Sequence, residues 1–131
     1  MAVITWTVRA EVANGPSFNK ATTLNVEAYE KIDVVIPGGE TDVEVTVDGS
    51  GMQFLAIRVD QPATMPSPST LSYKVNDDQA DAIDLDQPVQ LLVGSGAVGL
   101  LGVTALDSLF FSNSGADNAT VSILVGRDAT P

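Results

Sequence analysis

The sequence predicts an all-β fold, an antiparallel sandwich or barrel. Three observations carry that reading. Nine or ten short segments show apolar residues in alternation or in brief runs. Turn-forming residues separate them about every eight to twelve positions, the spacing of small all-β domains. Nowhere does an apolar period of 3.6 residues persist for about three turns. With 131 residues, 44% of them apolar, the chain can build one real core. Residues 1–131 are therefore read as a single β-sandwich domain.

The elements follow in order. Ile4, Trp6, Val8, Ala10 and Val12 alternate with Thr5, Thr7, Arg9 and Glu11, the period of a half-buried strand. "ANGPSFN" is a turn. A second strand covers Thr22 to Tyr29, with Leu24, Val26 and Ala28 inward. After a short break, Ile32, Val34 and Ile36 alternate with Lys31, Asp33 and Val35, and "PGGE" turns the chain. "TDVEVTVD" sets Val43, Val45 and Val47 against an acidic face. "MQFLAIRVD" is apolar on both parities, as in a central strand covered on both sides. "QPATMPSPST" is a proline-rich surface loop. "LSYKV" is a short strand with Leu71, Tyr73 and Val75 inward. "NDDQADAIDLDQP" is an acidic loop with a short extended piece around Ile83 and Leu85. "VQLLV" is a strand, and Ala97 to Val103 is expected to be another. "ALDSLFFS" reads as a strand with Leu106, Ser108 and Phe110 on one parity, with a single helical turn from Ala105 to Leu109 as the alternative, and "ATVSILVG" as the last strand.

The residues that are missing narrow the chemistry. Without cysteine there are no disulfides, thiolate metal sites or cysteine nucleophiles. Without histidine the commonest general base and the commonest metal ligand are gone. A non-enzymatic protein with no cofactor is expected. Six basic residues against seventeen acids give a net charge of −11, which repels phosphate backbones and anionic membrane faces. Neither nucleic acid nor membrane is an expected partner. "MAVITWTVRAEV" lacks a basic start and a long apolar block, so no secretion signal is expected.

Three patterns could still carry chemistry. Gly94, Gly96 and Gly99 stand at the G-x-G-x-x-G spacing of a dinucleotide site. The segment after them holds Gly102, Val103 and Thr104, poor material for the helix that must receive a pyrophosphate, so the glycines read as a backbone turn. Asp77, Asp78, Asp81, Asp84 and Asp86 could offer oxygen ligands to calcium, but their spacing matches no loop of known type and reads as a solvated surface. The carboxylate pairs Asp42 with Glu44 and Asp84 with Asp86 could flank a glycosidic bond; on a strand face they more simply guard an edge.

Two stretches, "LSYKVNDDQADAIDLDQPVQLLVGSGAVGLLG" and "LDSLFFSNSGADNATVSILVGRDATP", resemble the small decoration (cement) proteins of tailed-bacteriophage capsids. The resemblance implies a jelly-roll sandwich and a homotrimer bound to the major capsid protein. It also implies a place on the virion surface after assembly in the host cytoplasm. Such a protein needs contact surfaces and no catalytic group. Leu100, Leu101, Val103, Leu106, Leu109, Phe110 and Phe111 crowd into twelve residues and are the candidate contact set, with an ordinary buried strand pair as the competing reading. The alternative function is a carbohydrate- or ligand-binding sandwich of a phage tail or lectin type.

Overall fold

The computed structural model describes residues 2–60, 71–85, 89–102, 106–115 and 118–128. Among them are ten strands: β1 (Ala2–Glu11), β2 (Ser17–Val26), β3 (Ala28–Ile36), β4 (Val43–Gly49), β5 (Met52–Asp60), β6 (Leu71–Val75), β7 (Ile83–Asp84), β8 (Val89–Val93), β9 (Leu106–Asn113) and β10 (Ala119–Arg127). Strands β3 to β10 form an antiparallel sandwich of two four-stranded sheets. The first sheet runs β3-β10-β5-β8 and the second β4-β9-β6-β7. The pairings β3 with β10, β4 with β9, β5 with β8 and β6 with β7 are nested. The chain is thus one long antiparallel hairpin rolled over itself, which is the jelly-roll winding. Strands β1 and β2 stand apart as a two-stranded ribbon with ten residue pairs in unbroken register.

Alternation decides which side chains enter the core. Ile36, Leu55, Ile57, Val121, Ile123 and Val125 face inward from the first sheet. Val45, Val47, Leu71, Tyr73, Leu109 and Phe111 meet them from the second. The rings of Tyr73 and Phe111 lie 5.9 Å apart, tilted by 42°. The Tyr73 hydroxyl crosses the layer to donate to Gln90 Oε1 on β8.

Two asparagines hold the corners. The buried Asn113 donates from Nδ2 to the Ile36 carbonyl at 3.0 Å, its N–H donates to the Glu40 carbonyl, and its own carbonyl accepts from Gly39. This ties the end of β9 to the corner between the sheets, with its polar atoms satisfied. Asn76 accepts from the amides of Asp107 and Ser108.

Three sequence expectations are corrected. The break between the second and third strands falls at Glu27, not after Tyr29, so β2 begins at Ser17 and runs into β3 with a one-residue bend. Ala97 to Leu101, the described part of the strand expected over Ala97 to Val103 apart from Gly102, is not a strand. Ser95–Val98 forms one helical turn and Gly99–Leu101 a 3-10 turn, because the chain has passed the edge strand β8 and finds no ladder partner. In β9, Ser108 and Phe110 stand opposite Thr46 and Glu44 and are not on the inward side with Leu106. The register slips between Thr46 and Gly49, where β4 holds one residue more than β9, and from Leu109 onward the inward positions are Leu109, Phe111 and Asn113. The proline-rich loop at 61–70 lies outside the described residues.

Candidate interaction surface

The contact set expected from sequence is divided by the fold. Leu106, Leu109 and Phe111 are buried to within 1% and belong to the core, so they are unavailable to a neighbour. Leu101 packs against that core. Val103 lies outside the described residues. Only Leu100, 81% exposed on the 3-10 turn, and the half-buried Phe110 reach the surface. They do not form one patch with the rest. The crowding of apolar residues in this segment serves mainly to fill the sandwich.

The other sequence patterns are equally plain in three dimensions. Gly94 turns the chain out of β8 at φ +88, a conformation that favours glycine, while Gly96 and Gly99 have open space where a Cβ would stand. A single helical turn follows, and no βαβ unit frames it. In the acidic loop, Asp77 Oδ1 accepts from the Gln79 amide and the Asp78 carbonyl accepts from Lys74 Nζ. Among the described residues no three acids converge as a cation site, and Asp86 lies outside them. Asp42 precedes β4 at φ +54 and pairs with Lys74 at 3.2 Å, so it does not stand with Glu44 as a carboxylate pair on one strand.

The outer faces of the two sheets differ. On the second sheet, register places Glu44, Phe110 and Lys74 in one row and Ser112, Ser72 and Asp84 in the next. This face is polar and acidic, with one aromatic ring. On the first sheet, the rows read Tyr29, Gly126, Phe54, Val93; then Lys31, Leu124, Ala56, Leu91; then Asp33, Ser122, Arg58, Val89. Two of those rows are largely apolar. In the third, the Asp33 carboxylate accepts from Ser122 and Lys31, which together hold its pKa below the ordinary value.

The β1–β2 ribbon meets this first sheet at its base. A Cβ on Gly126 would stand 2.5 Å from the Ile4 Cδ1 atom and 3.2 Å from Val26, so the missing side chain is what lets the ribbon sit down. Phe54 is buried beneath the same contact. Beside it, an open pocket of about 370 Å³ is lined by Ala2, Val3, Ile4, Thr5, Tyr29 and Leu124.

Register puts Ile4 opposite Leu24, Trp6 opposite Thr22, Val8 opposite Lys20 and Ala10 opposite Phe18. Directly opposed residues share a face, so the ribbon has one apolar side. Burial fades along it. Val26 is buried, Ile4, Trp6, Val8, Thr22 and Leu24 are half-buried, and Ala10, Phe18 and Lys20 are exposed. The Trp6 indole N–H is enclosed with no acceptor among the described residues. The cover thus runs out while the apolar side continues.

Charge is partitioned in the same way. Residues 1–26 carry Arg9 and Lys20 against Glu11, a net of +1. Residues 27–131 carry four basic residues against sixteen acids, a net of −12. Of the contact set expected from sequence, Leu106, Leu109 and Phe111 belong to the core. The signal for the ribbon was present in the alternation of "ITWTV" and in this charge split. Comparison of the chain with family models, with curated proteins and with solved structures gives no match.

Proposed function

We propose that this protein is a non-enzymatic structural protein that decorates a bacteriophage capsid, bound between capsid subunits. One observation carries the reading: the β1–β2 arm extends an apolar side beyond the sandwich on which it rests. A two-stranded ribbon in water is marginal by itself, and an uncovered apolar stripe of this kind marks a contact surface. The jelly-roll winding is compatible, being a framework that viral capsid domains share with lectins and cupins; it does not choose among them. The carbohydrate-binding alternative has less support. Tyr29 and Phe110 stand on opposite outer faces of the sandwich and make no common stacking platform.

The test is co-sedimentation of the full chain with empty phage shells that lack a decoration protein. Saturable binding is expected, weakened by Phe18→Asp, whose site is 60% exposed and therefore outside the folded core. Absence of binding to any shell offered overturns the capsid assignment.

A further inference from the structure

We infer that the arm is a hinged strap: it lifts off the sandwich about Glu27 while both sheets stay closed, and the structure shows its seated position. The motion belongs to this chain alone and holds whatever surface the arm meets, so it goes beyond the capsid reading.

The seat is small and separate from the core. Phe54 and Val26 are buried to 3% and 1%, yet neither belongs to the cluster between the sheets. Phe54 stands in the outward row of the first sheet, next to Gly126. A side chain on an outer face is hidden from water only where something lies over it. At Gly126 the cover is visible: Ile4 and Val26 of the arm and Phe54 of β5 converge on the position where a Cβ would stand. A satellite cluster with so few buried apolar contacts opens at a lower free energy than the domain unfolds.

Two features weaken the seat further. The pocket beside it leaves Val3 and Tyr29 61% and 63% exposed, so its apolar lining is wetted rather than packed. The Trp6 indole N–H, on the same side of the ribbon as Ile4, is enclosed with no acceptor among the described residues. A buried donor without a partner opposes the state that buries it, and lifting returns that N–H to water.

The connection permits the motion. Glu27 is the one residue between β2 and β3, and its amide donates to the Arg127 carbonyl at 3.0 Å. Immediately after this bend, Ala28 pairs with Arg127 and the β3–β10 register runs unbroken to Ile36. Among the described strands, β1 and β2 pair only with each other. The ribbon can therefore leave its seat without breaking a ladder hydrogen bond of either sheet.

The absence of cysteine lets one introduced thiol report on its own surroundings. In the full chain, Val26→Cys places a thiol in the seat, and Val121→Cys places one in the core, at 0% exposure. Each variant is treated with a chromogenic disulfide reagent under native conditions, and its rate is divided by that of the same variant unfolded in urea. The seat thiol is expected to react at least about a hundredfold faster than the core thiol, with a shallower dependence on added urea, because lifting exposes less surface than unfolding. Both measurements are then repeated with Val47→Ala, a cavity in the core on the second sheet, away from the seat. That change is expected to speed the core thiol about tenfold. It should leave the seat thiol as it was, since the seated and lifted forms carry the same cavity. In the unaltered protein, amides around Ile4 and Leu24 are expected to exchange at least about tenfold faster than those of β10, because a ribbon off its seat is marginal in water. A seat thiol as slow as the core thiol overturns the inference. So does a seat thiol that Val47→Ala speeds as much as the core thiol, or equal amide protection in the ribbon base and β10; each would mean that the arm leaves only when the sandwich unfolds.

Discussion

The two outer faces of the sandwich descend from the same alternating pattern and have opposite characters. The second sheet turns Glu44, Thr46, Lys74 and Asp84 to solvent and ties Lys74 to Asp42. The first turns out Tyr29, Leu124, Ala56, Leu91 and Val89 and carries the arm. One face is polar, and the other leaves apolar side chains partly exposed. The period-two rule states only that one side of a strand is buried; on β5 the outer side also carries Phe54 and Ala56, and Leu124 of β10 stands beside Ala56.

Phe111→Ala should test the core common to both faces and give the largest loss, about 3–5 kcal/mol by urea unfolding. Its neighbour Phe110→Ala, on the acidic face, should cost less than about 1 kcal/mol. Equal losses would mean that Phe110 shares the core with Phe111.

Tyr73 couples the two sheets, and burial pushes its pKa up to about 12 from 10.0. The folded state therefore resists ionisation more than the unfolded chain. The Tyr73 contribution should be constant below about pH 10, and stability should fall as the pH rises from about 10 to 12. Thermal melts across that window check this, and Tyr73→Phe should flatten the decline.

Gly126→Ala sharpens the contrast from the arm side. The new methyl meets Ile4 Cδ1, the mobile end of a side chain, so a loss of about 1 kcal/mol is expected, with faster amide exchange at the arm's base than in β4. A second-sheet exchange rate that rises equally would show that the arm is not an independent unit. Smallest of all, Lys74→Met breaks the exposed pair with Asp42 and should change stability by no more than about 1 kcal/mol. A larger loss would make the acidic face a structural network in its own right.

Much of this fold was legible in the sequence. "TDVEVTVD", "LSYKV" and "ATVSILVG" declare their strands and inward residues, since period two needs no knowledge of the partner strand. Details that depend on a partner did not show. The phase change in β9 comes from an extra residue in β4, sixty positions away in sequence. The helical turn after Gly94 follows from running past a sheet edge. The contact set failed for a related reason. Composition cannot separate Leu109 and Phe111, which face the core, from Phe110 between them, which does not. The arm's alternation was read correctly as a strand. That it lies outside both sheets is a matter of pairing, and pairing is not written into the hydrophobic period.

The nested pairing also sets an order of events. Strands β3 and β10 pair residues 83 to 99 positions apart, whereas β1 and β2 close over a turn from Val12 to Pro16. Long loops close slowly and local ones fast. The ribbon can zip up while its seat on β10 is still unmade, so its apolar stripe is on offer throughout folding. Such a stripe is a point where unfinished chains can stick to one another, and yield on refolding should fall with concentration sooner for this protein than for one whose arm is made last.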